Sequence, residues 1–213
     1  LRLMSGAEFL AALQSLGARV IVVGHDFRFG HKGAASAQWC ASEARNYGFE
    51  VDILEPVLVD GERASSGLVR AALAVGDLAR AARLLGRPFS MRARVRQGER
   101  LGRTLGFPTA NMALHRRRSP LEGIYAVRVY GTGSEGRGWP AVASLGTRPT
   151  VNGTEPLLEV HLFDFAGDLY GAELEVEFVA RLREERRFES LEAMVAQMHR
   201  DAAAARAALA PLV

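Results

Sequence analysis

The sequence contains a single cysteine, Cys40, among its 213 residues. One cysteine cannot form an internal disulfide, so the fold depends on a buried apolar core, which a chain of this length can supply. Cys40 lies in an apolar helical pattern, which indicates a small core residue. No apolar run reaches the roughly 18 residues that a transmembrane helix needs, and no basic-then-apolar signal segment opens the sequence. These absences predict a cytoplasmic protein that has no membrane partner.

Two familiar nucleotide-binding motifs are also absent. There is no Walker-type G-x-x-x-x-G-K-[ST] segment, so any use of ATP requires a site of another kind. Residues 131–136 do match G-x-G-x-x-G. They lead into Arg137-Gly138-Trp139-Pro140, however, which cannot open the helix that the dinucleotide fingerprint requires. We interpret this segment as a hairpin loop.

The excess of positive charge is small. Lys and Arg number 27 against 24 Asp and Glu, for a net charge of +3 and a pI of about 9.5. Such a balance suits anionic ligands such as nucleotides without indicating a particular one. The basic run at residues 116–118 lacks interleaved aromatics and is interpreted as a solvated loop rather than a nucleic-acid site. A second set is interpreted as a solvated charged face: Arg181, Arg183, Arg186 and Arg187.

The first part of the chain has an α/β pattern. Ser5 and Glu8 form a capping box ahead of an apolar helix. The apolar run at residues 20–23 is typical of a buried parallel strand, and a helix at residues 34–47 and a strand at 49–54 complete one βαβ unit. This is too little sheet for a complete doubly wound domain, so we expect part of the domain to lie outside the sequence. Two short helices follow, capped by Ser66 and Asp77, and Pro88 marks the boundary.

From residue 90 onward the hydrophobic period changes to two. Apolar and polar residues alternate at 91–96, 125–129 and 173–178, which predicts an antiparallel sheet that is closed or nearly closed as a barrel. The chain ends in an amphipathic helix that we expect to pack on this barrel. Met194 and Met198 of its apolar stripe are expected in the core.

Residues 98–111 have the composition of a ligand-binding loop. Gly98, Gly102 and Gly106 recur at four-residue spacing and let backbone amides approach a ligand. After a rigid Phe-Pro step, Thr109 and Asn111 point to the same face if the chain is extended. A hydroxyl and an amide oxygen side by side are hard ligands suited to Mg²⁺. The alternative is a flexible hairpin in which both side chains make turn hydrogen bonds.

A second constellation lies at residues 158–165. Strand alternation separates an apolar face (Leu158, Val160, Leu162) from a mixed one (Glu159, His161, Phe163, Phe165). Glu159 is positioned to accept a proton from a substrate hydroxyl during phosphoryl transfer; the alternative is a polar face with its hydrogen bonds satisfied. No Cys or second His stands at metal-ligand spacing, so His161 is interpreted as a structural hydrogen-bonding residue.

Together these motifs resemble the signature of the riboflavin kinase family. The matching segments occur in order at residues 102–111, 123–125, 146–150, 158–164 and 169–171. Residues 24–30 and 65–70 resemble parts of the adenylyltransferase half of bacterial bifunctional riboflavin kinase/FMN adenylyltransferases. The resemblance implies an incomplete Rossmann-like nucleotidyltransferase α/β domain at residues 1–87, followed at residues 88–213 by a six-stranded antiparallel β-barrel with a C-terminal helix.

The resemblance also implies the activity and its residues. The enzyme would transfer the γ-phosphate of Mg-ATP to riboflavin, giving FMN and ADP, with Glu159 as the base and with Mg²⁺ held by Thr109 and Asn111. The loop from residue 98 to 106 would cover the nucleotide, whose binding residues would be Gly98, Gly102, Arg103, Gly106, Pro108, Thr109, Asn111 and Tyr170. The residues of an adenylyltransferase remnant would be Gly24, Asp26, Phe27, Gly30, Ser65, Ser66 and Arg70.

The first segment departs from the family pattern. It has no His-x-Gly-His-type phosphate site, since His25 and His31 do not form one, and Gly67 and Val69 stand where the family usually has Thr and Ile. We therefore predict FMN formation without FAD synthesis by this chain. One alternative is a bifunctional enzyme that also converts FMN to FAD. A more remote one is a non-catalytic basic barrel that binds nucleic acid, which leaves the order of the motifs unexplained.

Overall fold

A computed structural model describes residues 3–98, 101–114, 119–133, 136–150 and 153–210. The chain forms two compact units, Leu1–Ala64 and Ser65–Val213. The proposed domain boundary between residues 87 and 88 lies later in the chain and remains a prediction.

The first unit contains one βαβ motif, as predicted. Its elements are α1 (Gly6–Ser15), β1 (Val20–Gly24), β2 (Arg28–Phe29), β3 (Ala35–Ser36), α2 (Ala37–Ala44), β4 (Glu50–Leu54), β5 (Leu58–Val59) and β6 (Glu62–Arg63). β1 and β4 pair in parallel, with Val20 opposite Glu50, and α2 lies between them in sequence. The Ser5–Glu8 capping box is present at the start of α1.

Cys40 belongs to the small core of this unit. It is 1% exposed and packs in a cluster with Leu10, Phe29 and Phe49. Burial raises the pKa of the thiol, which disfavours the reactive thiolate. The interpretation of Cys40 as a core residue is confirmed.

The second unit opens with two short helices, α3 (Ser66–Ala74) and α4 (Leu78–Leu85). The cap of α3 is Ser65 rather than the predicted Ser66, because the Ser65 hydroxyl accepts a hydrogen bond from the Leu68 amide at 3.3 Å. Asp77 caps α4 as predicted, accepting from the Arg80 amide at 2.9 Å. Ala72 and Leu73 of α3 and Ala81 of α4 join the core of the barrel that follows.

The barrel is closed and has six strands. Its elements are β7 (Ser90–Arg96), α5 (Leu101–Thr104), β8 (Ala110–Ala113), β9 (Gly123–Tyr130), β10 (Trp139–Thr150), β11 (Gly153–Leu162), β12 (Glu173–Arg183) and the C-terminal helix α6 (Leu191–Leu209). The strand order is β10-β11-β8-β7-β12-β9, and every neighbouring pair is antiparallel. Residues 131–136 connect the paired strands β9 and β10, as expected for a hairpin loop; Ser134 and Glu135 lie outside the described residues.

Strand alternation decides which side chains fill the barrel. Met91, Val127, Leu158 and Val176 are at most 1% exposed and form the interior. The outer face is not exposed to solvent everywhere, because Ala205 and Leu209 of α6 cover Ala126. The second half of the C-terminal helix therefore packs on the barrel wall.

Two ion pairs fasten α6. Arg183 of β12 donates to both carboxylate oxygens of Asp201, at 2.7–3.1 Å, and Asp201 is 6% exposed. Near the end of the helix, Arg206 donates to the exposed Asp164 at 2.8 and 3.1 Å and lies over the Phe163 ring. The hydrogen bond from Arg206 lowers the pKa of Asp164. This pair therefore contributes to the stability of the fold at pH values above the usual carboxyl pKa. The contribution is lost as the pH falls through the lowered pKa of Asp164.

Replacing Asp201 with Asn is expected to destabilise the second unit. The substitution leaves the Arg183 guanidinium, with 20% of its side chain exposed, without its counter-charge, and breaking a buried pair in this way costs about 3 kcal/mol. Urea unfolding followed by circular dichroism measures the loss. Asp164→Asn, which breaks the exposed pair, is the control and is expected to have a smaller effect. An unchanged unfolding midpoint for Asp201→Asn would contradict the assignment.

Candidate active site

Asn111, Glu159 and Ser144 are aligned across three adjacent strands. Glu159 of β11 pairs with Asn111 of β8 on one side and with Ser144 of β10 on the other. Cβ atoms of directly opposite residues lie about 4.5–5.5 Å apart. All three point away from the barrel interior, because their sequence neighbours fill it. The strands therefore place a carboxylate between an amide and a hydroxyl on the outer wall.

A cavity of about 590 Å³ opens over this wall. Among the residues that line it are Thr109, Ile124, Ser144, Glu159, Arg186, Phe188, Met194 and Met198. The expectation that both methionines lie in the core is wrong. The first half of α6 borders the cavity, and only the second half reaches the barrel wall, so Met194 and Met198 are half-buried and line the cavity.

A second cavity, of about 250 Å³, lies on the other side of Thr109. Its lining includes Arg103, Pro108, Phe165, Asp168 and Tyr170. Thr109 borders both cavities. The segment that carries Thr109 therefore forms part of the wall between two spaces, each open to solvent.

Two glycines of the preceding loop lie against site residues. A Cβ at Gly98 would overlap the Asn111 side chain, and a Cβ at Gly102 would overlap the carbonyl oxygen of Phe107. Gly106 adopts a positive φ of 82°, a conformation that L side chains rarely take. The loop contains the short helix α5; Glu99 and Arg100 lie outside the described residues.

Replacing Gly102 with Ala is expected to lower the rate of FMN formation, the activity that the sequence resemblance implies, by about tenfold or more. The new methyl group must displace the Phe107 carbonyl and with it the following Pro108-Thr109 step, and small displacements of positioning groups are costly. Gly67→Ala is a matched control, since a Cβ there has ample room. The two variants are compared by their steady-state rates of FMN formation, and their melting temperatures show whether both are folded. A Gly102→Ala rate equal to that of the control would contradict the role of this contact in positioning the Pro108-Thr109 step.

Thr109 and Asn111 share one side of the strand, as expected from their spacing. The Asn111 amide donates to the Thr109 hydroxyl at 3.4 Å and to the Thr109 carbonyl at 3.5 Å. These contacts are long and therefore weak, and rotating the amide by 180° would bring its oxygen beside the hydroxyl. Within the described residues no cluster of three His, Cys, Asp or Glu could hold a metal ion. The pair therefore fits a cation that takes its other ligands from water and phosphate, as Mg²⁺ does.

His161 is a hydrogen-bonding residue, as the sequence indicated. Its Nδ1 lies 2.8 Å from the carbonyl oxygen of Pro108, and its ring contacts Phe107 and Phe163. The expectation that Phe165 shares this face is wrong. β11 ends at Leu162, and Asp164 has a φ of 54°; Phe165 therefore packs edge-on against Trp139 beside the smaller cavity.

The arginines near the end of β12 do not form a plain solvated face. Arg183 is held by Asp201, and Arg186 lies over the Phe188 ring and donates to Gln197. Sequence reasoning also missed Glu185, which accepts a hydrogen bond from Ser144 at 3.1 Å. The segment that follows β12 has no periodic pattern, and only its folding back over the barrel wall brings these groups to the large cavity.

Two of the candidate adenylyltransferase residues, Asp26 and Phe27, have side-chain partners within the first unit. Asp26 is bound by Arg63 at 2.7 Å, which lowers the pKa of Asp26. Phe27 stacks on Phe29, and Gly30 has a φ of 76°. Gly24 ends β1 in this first unit, whereas Ser65, Ser66 and Arg70 belong to the start of α3 in the second. Their role in adenylyl transfer remains a prediction.

Two further expectations concern membranes and nucleic acid. In the part of the chain that the structure describes, no helix combines the length and apolar character needed to cross a bilayer. The basic run at residues 116–118 lies outside the described residues.

Comparison with known proteins yields matches over both parts of the chain. The riboflavin kinase family matches residues 85–209, and the FAD synthetase family matches residues 1–68. Bifunctional riboflavin kinase/FMN adenylyltransferases from Pseudomonas fluorescens and Escherichia coli K12 are 48% and 44% identical over 99% and 95% of this chain. The chain spans 68% and 65% of their lengths. A crystal structure titled as a macrolide-efflux protein from Streptococcus pneumoniae is 34% identical with a TM-score of 0.69, covering 96% of this chain and 66% of that one.

Proposed function

Because the chain belongs to the riboflavin kinase family, we propose that its barrel transfers the terminal phosphate of ATP to the 5′-hydroxyl of riboflavin, producing FMN and ADP. Phosphoryl transfer needs two substrates to meet in line at one point. The observation that supports this most is the position of Thr109 between the two cavities, with Glu159 directly across from Asn111.

The larger cavity suits the flavin. A volume of about 590 Å³ lies within the range of about 300–1,000 Å³ usual for small-molecule sites. Its apolar residues, among them Ile124, Met194 and Met198, suit a planar aromatic ring, and Ser144 and Glu159 are among its polar groups. We assign the ribityl chain to the wall that bears these two residues, where its terminal hydroxyl reaches Glu159.

The smaller cavity suits the nucleotide. Arg103 and Tyr170 line it together with Pro108, and an Arg guanidinium recognises phosphate oxygens. Arg103 brings the loop that carries it to this cavity, and backbone amides of the loop would bind the phosphates. Adenosine on this side and flavin on the other would direct the γ-phosphate toward Thr109.

The reaction assigns one task to each group. Glu159 takes the proton from the ribityl hydroxyl as the oxygen forms its bond to the γ-phosphorus, and the bond from that phosphorus to the bridging oxygen breaks to release ADP. Ser144 lies next to Glu159 and is placed to orient the hydroxyl. The residues that line the two cavities would hold the reactants in line.

A divalent cation is implied by the family, and we propose that it is Mg²⁺. Thr109 and Asn111 would hold it through one neutral oxygen each. When bound, it neutralises charge on the phosphate oxygens.

FMN formation by the whole chain tests the proposal. The chain is incubated with riboflavin, ATP and Mg²⁺, and the flavins are separated by chromatography. We expect FMN and, in the absence of the His-x-Gly-His-type site, no FAD. A folded chain that forms no FMN would contradict the kinase assignment, and FAD would show that adenylyl transfer is also carried out.

A further inference from the structure

His161 holds the segment that separates the two cavities. Its Nδ1 lies 2.8 Å from the carbonyl oxygen of Pro108, the residue immediately before Thr109. A carbonyl oxygen can only accept a hydrogen bond, so the proton of this bond resides on Nδ1. The bond crosses from β11 to the segment just before β8. His161 lies two residues after Glu159 on β11.

The ring of His161 also anchors Phe107, the residue before Pro108. The ring centroids of His161 and Phe107 lie 5.0 Å apart, and those of Phe107 and His199 of α6 lie 4.8 Å apart. Phe107 is 5% exposed, and its amide donates to the Gly102 carbonyl at 2.8 Å. Phe107 is therefore fixed by packing and by its own backbone, whereas the Pro108 carbonyl is held by His161.

We propose that His161 is a positioning residue, which sets the location of Thr109 through the Pro108 carbonyl and so fixes the metal–phosphate side of the site relative to Glu159. This role rests on the proposed kinase activity. Glu159 and His161 lie on the same outward face of β11. One strand thus carries both the base and the residue that holds the Pro108 carbonyl. The distance from Glu159 to Thr109 is therefore set by β11 rather than by the loop that precedes Thr109.

Two substitutions separate this role from packing. His161→Phe keeps the ring contacts with Phe107 and Phe163 but has no donor. His161→Asn loses the ring, yet its side-chain amide places a donor near the position of Nδ1. His199→Phe is the matched control, because it keeps the edge-on contact with Phe107 and lies outside both cavities.

The expected results differ for each variant. His161→Phe is expected to lower kcat by about 10- to 100-fold and to weaken Mn²⁺ binding in the presence of ADP, followed by electron paramagnetic resonance. Riboflavin binding, followed by flavin fluorescence, should remain within about twofold of the parent, because a phenyl ring takes the place of the imidazole in the lining of the large cavity. His161→Asn should recover most of the lost kcat, and His199→Phe should match the parent.

A spectroscopic measurement on the active parent protein tests the hydrogen bond of His161 directly. Long-range ¹H–¹⁵N spectra of the whole chain report which ring nitrogen carries the proton, and comparison with His161→Asn assigns the signal. We expect a proton on Nδ1. An unprotonated Nδ1, a His161→Phe kcat within twofold of the parent, or equal loss of kcat in the Phe and Asn variants would each overturn the inference. Absence of FMN from the parent would instead overturn the kinase assignment.

Discussion

Replacing Glu159 with Gln is expected to lower FMN formation by about 10²- to 10⁴-fold, the usual contribution of a general base. Glutamine keeps the shape of the side chain and its place between Asn111 and Ser144 but cannot take the ribityl proton. The barrel should fold normally, because Glu159 points away from the interior. Product chromatography under saturating riboflavin and ATP measures the rate.

A matched control distinguishes this loss from a general effect of charge removal. Glu173→Gln changes an exposed carboxylate on β12 that lines neither cavity, and it should leave the rate unchanged. Riboflavin binding by Glu159→Gln should also persist. A Glu159→Gln rate within a few-fold of the parent would mean that the base lies elsewhere.

Replacing Thr109 with Val is expected to lower kcat by about 100-fold or more, the order of effect seen when a group that stabilises charge in the transition state is removed. Valine fills the same volume without the hydroxyl, so the wall between the cavities keeps its shape while losing one of the two proposed metal ligands. The Mg²⁺ concentration that gives half of the maximal rate should rise, and kcat should fall with it. Rates measured across a Mg²⁺ titration test both effects.

Thr132→Val serves as the control for this substitution. Thr132 lies in the connection between β9 and β10, outside both cavities. Its variant should show the parental Mg²⁺ dependence. If Thr109→Val also keeps that dependence, Thr109 does not act on the metal.

The barrel was accessible from the sequence because its signals are local. Alternation at residues 91–96 and 173–178 gives strand faces directly, and Met91 and Val176 are buried as the pattern requires. The candidate pair Thr109 and Asn111 followed from the same two-residue period. Its proximity to Glu159 did not follow from any period, because register between distant strands is set by the fold as a whole.

The large cavity shows where sequence reasoning reached its limit. Met194 and Met198 have the spacing of core residues, and a helical period cannot tell a face that packs on a wall from one that borders a ligand space. Arg183 has charged neighbours in sequence but finds Asp201, 18 residues away, only when α6 folds back on β12. Phe165 was misplaced because a single residue with positive φ, Asp164, ends the strand alternation.

The most direct test of riboflavin kinase activity follows isotopically labelled phosphate from ATP into the flavins. The whole chain is incubated with riboflavin and Mg-ATP labelled either in the γ- or in the α-phosphate, and the flavins are resolved by chromatography. We expect the γ-label to appear in FMN and the α-label to enter no flavin. Absence of γ-label from FMN, in a chain shown to be folded, would contradict the central claim that this barrel is a riboflavin kinase.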